Sequence, residues 1–348
     1  MPKVSILLPC LNARAYLESR IDSLLAQTCS DWEAIVLDSH STDGSWEFFQ
    51  SIAARDSRFR LNQIPREGVY AALNRGVQLA SGEFLHVATC DDAMVPEFLD
   101  AMLEAFKQCP EAGIAACDVS LVDESGSALS AEKLIPYLPL SSVNDLLDSG
   151  YVRTSRGKEE KMNYRPVPHD CLLHFGARSV YFSLTQLLIR TALAKAAAPF
   201  ETTVGSVADF DWLLRLTNQI GTVHLPEKLA IWRFHGDQLS VHQDDSRRGS
   251  LKMICERALP DIYERHQRLL TRNDCAALLL PCKALQANST MKRFRSRLET
   301  LIRVLLMFLK KPAVTLRAIR RTHFRIGKLR QTLLPMMLQR IGLIPREL

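Results

Sequence analysis

The chain has 348 residues, 47% of them hydrophobic and 24% charged, a balance that suits a large packed core and excludes a disordered or low-complexity chain. This length exceeds one ordinary domain, so one large domain with an appendage is expected. The formal charge of +6 hides an asymmetry: from Lys292 to Leu348, 15 lysines and arginines stand against Glu299 and Glu347, whereas the first 291 residues hold 29 basic and 36 acidic side chains.

The opening run MPKVSILLPC is too short and too lightly charged for a secretory signal. It reads as a buried strand from Val4 to Leu8 that ends at Pro9. Ala13 to Gln27 has helical spacing, and Trp32 to Leu37 is a second strand followed by the polar turn Asp38 to Gly44, where Asp43 is placed to cap the helix starting near Ser45. Phe59 to Asn62 is a weaker strand. A helix from Val69 to Ala80 stops near Gly82. Phe84 to Ala88 is a strand that runs into Cys90-Asp91-Asp92, Pro96 to Gln108 is helical, and Ala112 to Cys117 is again a strand. From Asp118 to Ser183 the periodicity weakens. An acidic-headed amphipathic helix covers 208–218, two short strands follow near Thr222 to Leu225 and Ala230 to Phe234, and the chain after Asp244 reads as helical with breaks at Pro260, Pro281, Pro312 and Pro335. Alternating strands and helices predict an α/β fold with a mostly parallel sheet flanked by helices, residues 1–245 forming that domain and 246–348 a helical basic extension.

The nine cysteines are scattered with no C-x-x-C pair, which speaks against a zinc knuckle or redox motif and fits a reducing cytosol. Ligands of open α/β sheets bind beyond the carboxyl ends of the strands. Three polar groups fall there: Asn12, Asp38 and the pair Asp91-Asp92. Adjacent carboxylates leaving an apolar strand are costly unless solvated, paired or metal-bound. Hard cations such as Mg²⁺ or Mn²⁺ take carboxylate oxygens and share their shell with phosphates, so the layout points to activated-phosphate chemistry.

Three runs, VSILLPCLN, EAIVLDSHSTDGS and GVYAALNRGVQLASGEFLHVATCDD, resemble in order and spacing the family 2 glycosyltransferases of the GT-A fold. Residues 208–216, ADFDWLLRL, resemble that family's E-D-x-D-x-x-x-R block, and residues 232–240, WRFHGDQLS, its R-x-H-x-x-x-x-S block. The resemblance spans residues 3–242. It implies that Pro9, Cys10, Leu11, Asn12 and Asp38, with Arg75 nearby, line a nucleoside pocket of a nucleotide-sugar donor. Asp91, flanked by Asp92, would hold a divalent metal, Mn²⁺ or Mg²⁺, on the diphosphate, and His235 would approach that metal. Asp209 would be the base that deprotonates an acceptor hydroxyl, with inversion at the sugar carbon. The sequence departs from the family at Thr89 and Cys90, where the D-x-D motif begins, at Ser39, and at Ala208 in place of Glu. The Q-x-x-R-W block of processive synthases is absent, so single transfer is expected.

Taken singly, these residues have plain structural roles too. Asp38 and Asp43 suit a turn and a cap, Asp91-Asp92 suit the start of the following helix, Asp209 and Asp211 suit a helix dipole, and His235 suits a structural hydrogen bond. Cys90 reads as a small filler. The basic tail fits an in-plane amphipathic helix on anionic lipid or a solvated partner-binding face. Its apolar runs are too short to span a bilayer, and no recognised nucleic-acid module accompanies the charge. The expectation is a cytosolic enzyme, peripheral on the inner face of a membrane, acting on a glycan or lipid-linked acceptor in cell-surface polysaccharide or glycolipid synthesis. The alternatives are a non-catalytic nucleotide- or carbohydrate-binding scaffold and, last, a nucleotidyltransferase, which lacks its Gly-rich phosphate loop here.

Overall fold

A computed structural model describes residues 1–129, 162–177, 181, 183–236, 245–270 and 346–347. Four parallel strands make one half of the sheet: β1 (Val4–Cys10), β2 (Trp32–Asp38), β3 (Phe59–Gln63) and β4 (Phe84–Val87), in the spatial order β3-β2-β1-β4. Every residue of β1, β2 and β4 is buried, as expected of parallel strands covered on both faces. Alternate residues feed two cores. Ile6, Leu8, Ala34 and Val36 face α1 (Arg14–Leu25), α2 (Ser45–Ala53) and α4 (Phe98–Gln108). Leu7, Ile35 and Leu37 face α3 (Val69–Leu79). Pro9 does not end β1: it continues the parallel register opposite Leu37, one residue before Cys10.

Beyond β4 the sheet turns mixed. β8 (Leu187–Arg190) lies antiparallel to β4 and to β6 (Ala112–Val122). β9 (Gly221–Arg233) runs parallel to β6, and β7 (Asn163–Arg165) and the short β5 (Ala93–Met94) lie antiparallel to β9. The two short strands expected at 222–225 and 230–234 are thus one strand. Its ladder skips Pro226 and Glu227, so that Cys117 faces Leu225 while Asp118 faces Lys228. Proline has no N–H to give a ladder, and a bulge absorbs it.

α5 (His169–Ala177), β8 and α6 (Thr191–Ala197) had no signal strong enough to be expected. The first carries its own polar interior. Arg165 and Asp170 form an ion pair at 2.7 Å with side chains 0% and 3% exposed, and the Tyr181 hydroxyl donates to the same carboxylate at 2.5 Å. Charged residues of this kind read as loop in a sequence. α7 (Ala208–Thr217) and α8 (Asp245–His266) complete this face. Pro260 does not end α8, which continues through it. Ile254, Cys255 and Ile262, on both sides of Pro260, are buried in the same core as β1 and α7, and that packing outweighs the backbone hydrogen bond that proline removes. The expected boundary at residue 245 is therefore not an edge of packing, which continues to Leu270. A last strand, β10 (Arg346–Glu347), pairs with β7. The expected breaks at Pro281, Pro312 and Pro335 and almost all of the basic tail fall outside the described residues.

Candidate active site

The carboxyl ends of β1, β2 and β4 open on the same edge of the sheet, and the polar residues expected there form two groups. The first surrounds Asp38. This side chain is fully buried; its Oδ2 accepts the Ser41 N–H at 3.1 Å, and its Oδ1 has no hydrogen-bond partner among the described residues. A buried carboxylate oxygen left open is expensive, and a ligand donor is one way to satisfy it. Asn12 takes a left-handed conformation (φ 52). Its backbone N–H donates to Ser41 Oγ at 2.9 Å, and its side-chain Oδ1 accepts the Thr42 N–H at 2.9 Å. Asn12 thus shapes the loop after β2. Asp43 also ties loops together, accepting from the N–H of Arg14 at 2.8 Å and of Ser45 at 3.0 Å at the starts of α1 and α2. Leu11 is 49% exposed at the rim, while Pro9 and Cys10 are buried.

Arg75 stands on α3 in an exposed ion pair with Glu67 at 2.5 Å. Arg66, which the sequence did not single out, is the cation at the Asp38 loop. Its Nε donates to the Ser39 carbonyl at 3.0 Å, and its Nη2 donates to the carbonyl of His40. Arg66 stands in an ordinary-looking turn before α3, and no local pattern marks it.

The second group is built on the turn after β4. Asp91 Oδ2 lies 3.0 Å from His235 Nε2, with the carboxylate 26% exposed and the imidazole 10%. Burial pushes the Asp91 carboxyl up, and the hydrogen bond and charge of His235, its own backbone N–H and the Thr89 hydroxyl together hold it below its ordinary value. Two residues nearer the start of its segment, Arg233 ends β9, which brings His235 to the turn. The His235 ring packs on Tyr16 of α1 at 5.1 Å between centroids.

Asp92 points the other way. It is 2% exposed. It accepts from Thr89 Oγ1 at 2.7 Å, from Ser183 Oγ at 3.1 Å and from the Arg233 backbone N–H at 3.0 Å. Burial and the neighbouring charge of Asp91 push it up to about 7. Asp92 knits the turn to β9 and to Ser183. Thr89 donates inward to Asp92, and Cys90 donates to the Pro9 carbonyl at 3.2 Å. The neighbouring Cys90 thiol lowers that of Cys10, and Cys10 together with burial raises that of Cys90. Cys90 is the filler its sequence context suggested.

The acidic block of α7 separates into two roles. Asp211 is buried and paired with Arg215 at 2.9 Å and Arg257 at 2.6 Å. Arg215 also donates to the carbonyls of Ala197 and Pro199. Asp209 sits half-buried in the first turn, its Oδ1 accepting the Phe210 N–H at 2.7 Å. Ala208, where the resembled block carries Glu, is fully buried.

Among the described residues no three metal-binding side chains converge. Asp91 and His235 supply one hard oxygen and one imidazole nitrogen, a pair that fits a divalent cation drawing the rest of its shell from diphosphate and water.

Strands β1 to β4 with a mixed extension, and an acidic turn beyond β4, define an α/β domain of the GT-A type. Residues 5–140 match the family model of Glycosyl transferase family 2. A "PGL/p-HBAD biosynthesis glycosyltransferase" from Mycobacterium bovis is 36% identical over 106 residues, which span 30% of this chain and 41% of that protein. An "Uncharacterized glycosyltransferase" from Haemophilus influenzae is 32% identical over 149 residues, 41% of this chain and 59% of that one. The matched stretch is thus under two thirds of each of these relatives. Among solved structures, S. aureus TarS 1–349 in complex with UDP-GlcNAc superposes with a TM-score of 0.58 at 14% identity, covering 84% of this chain and 79% of that one. The mannosyltransferase PcManGT from Pyrobaculum calidifontis, in complex with GDP-Man and Mn²⁺, gives 0.50 at 15% identity over 98% and 87% of the two chains. At these identities the likeness is one of fold.

Proposed function

We propose that the chain transfers a sugar from a nucleotide-sugar donor to an acceptor hydroxyl, with inversion and one sugar at a time. The observation that carries this reading is the pairing of Asp91 with His235 at the carboxyl end of β4, on the sheet edge that holds the open oxygen of Asp38. Asp38 offers an acceptor to a donor group of the nucleobase, and Arg66 sets the shape of that loop. Asp91 and His235 would hold a divalent cation, which neutralises the charge building on a departing nucleoside diphosphate. Asp209 takes the proton of the acceptor hydroxyl as its oxygen attacks the anomeric carbon and the bond to the diphosphate breaks. The salt bridges of Asp211 keep α7 in place, the helix whose first turn carries Asp209.

The basic tail supports an acceptor at a membrane or cell-surface polymer, reached from the cytosolic side. One observation favours a second reading, a binding scaffold without turnover: Thr89 and Ala208 replace acids of the family pattern, and both are spent on internal packing.

Calorimetric titration of UDP, GDP, dTDP and CMP, each with and without Mn²⁺, tests the proposal. One nucleoside diphosphate should bind in a metal-dependent manner, Asp91→Ala should lose that binding, and Asp209→Asn should keep it while losing turnover. Folded protein that binds none of them points to the scaffold reading, and an active Asp209→Asn variant removes the assignment of the base.

A further inference from the structure

Arg20 lies on the buried face of α1, among Leu17, Ile21 and Leu24, and is 0% exposed. A guanidinium on an apolar stripe is heavily penalised unless its surroundings use it. Its Nε donates to the carbonyl of Thr89 at 2.8 Å and its Nη2 to Thr185 Oγ1 at 3.1 Å. Its Nη1 has no hydrogen-bond partner among the described residues. Burial lowers its pKa, and the charge of Asp92, with a smaller contribution from Asp91, opposes that loss. On the opposite side of the same turn, Arg233 Nε donates to the Asp91 carbonyl at 2.9 Å, and its backbone N–H holds Asp92 at 3.0 Å. Two guanidinium groups therefore grip the carbonyls of Thr89 and Asp91, on either side of Cys90.

We propose that Arg20 is a positioning residue of the transfer site: it fixes the backbone of the Thr89–Asp92 turn from beneath and so aims the Asp91 carboxylate. The proposal rests on the transferase reading. Leucine would satisfy the core at this position; only a forked donor reaches both Thr89 and Thr185. The turn also has a particular need for such support. With Thr89 turned inward onto Asp92, Asp91 is the acid of the turn left to face a cation beside His235, and a site with so few protein ligands tolerates little misplacement of either.

The test compares full-length wild type with Arg20→Met and Arg20→Lys, each checked by circular dichroism and thermal melting. Mn²⁺ binding is titrated in the presence of UDP or GDP, hydrogen exchange is followed in the peptide covering residues 84–94 without nucleotide, and the Mn²⁺ requirement for turnover is measured. In Arg20→Met, Mn²⁺ should bind roughly 10-fold more weakly, the Mn²⁺ needed for half-maximal turnover should rise in parallel, and exchange should quicken at residues 88–93 alone. Arg20→Lys should recover part of the loss, since it keeps the charge without the fork. If Arg20→Met does not fold, Thr185→Val removes the acceptor of Nη2 alone and should shift the same readouts in the same direction by less. Unchanged Mn²⁺ affinity and exchange in a folded Arg20→Met or in Thr185→Val overturns the proposal while leaving the transferase reading intact. Wild-type protein that binds no nucleoside diphosphate with Mn²⁺ overturns both.

Discussion

Asp91 keeps 26% of its side-chain surface and faces His235, whereas Asp92 is 2% exposed and accepts three hydrogen bonds from within the protein. Composition cannot tell these neighbours apart, because the division depends on where Ser183 and Arg233 arrive from distant parts of the chain. Arg20 was readable in principle: a charged residue at the i+3 position of the stripe that starts at Leu17 is an anomaly in a helix pattern. Glu33 of β2 shows the same tertiary dependence. Burial alone would raise its carboxyl, but the hydroxyls of Ser5 and Ser81, the Arg60 guanidinium and the Ser81 N–H more than offset this and hold it at about 2. Its folded pKa lies below the ordinary value of 4.5, so its contribution to stability is complete above that pH and is lost as pH falls toward 2. Glu33→Gln should therefore melt below wild type at pH 7, with the gap closing as melts are repeated down to pH 2.5. A gap that is constant with pH would show that the loss is one of packing.

The element boundaries of the first half follow from local chemistry, and the strands β1 to β4 and helices α1 to α4 lie within two or three residues of where periodicity places them. Gly82 illustrates what periodicity misses. It was read as a helix stop, yet α3 ends at Leu79 with Ala80 as its cap, and the reason for glycine lies in packing. A Cβ at position 82 would stand 2.7 Å from the Ser5 nitrogen and 2.8 Å from the Val4 carbonyl carbon, where the turn between α3 and β4 crosses β1. Both atoms are backbone and cannot step aside. Gly82→Ala should cost about 1–3 kcal/mol, seen as a lower urea midpoint with an unchanged slope. A neutral result would mean that the turn has room to move.

At the scale of the whole chain, the acidic body and basic tail are a property of sequence alone, and they act at long range. No helix among the described residues is long and apolar enough to cross a membrane. The attachment to lipid proposed from the charge of the tail is electrostatic with shallow apolar insertion. Full-length protein should then sediment with vesicles containing phosphatidylserine at low salt and be released near 1 M salt, where the Debye length shrinks to about 3 Å. Equal recovery with neutral and anionic vesicles would remove the membrane from the proposal.

What the sequence by itself determined is the parallel half of the sheet and the polar residues at its carboxyl edge, since apolar runs, turn residues and the family's ordered blocks are local signals read over a few residues at a time. It left β8, α5 and α6 without a signal and split β9 in two, because those elements depend on pairing across the mixed half of the sheet and on the buried Arg165–Asp170 pair. The tertiary structure alone decided which acids stand open and which are spent on structure: Asp38 and Asp91 on one side, Asp43, Asp92 and Asp211 on the other. A carboxylate's role is set by the donors and solvent around it, and those donors (Arg233, Arg257, Ser183) come from segments far away in the chain.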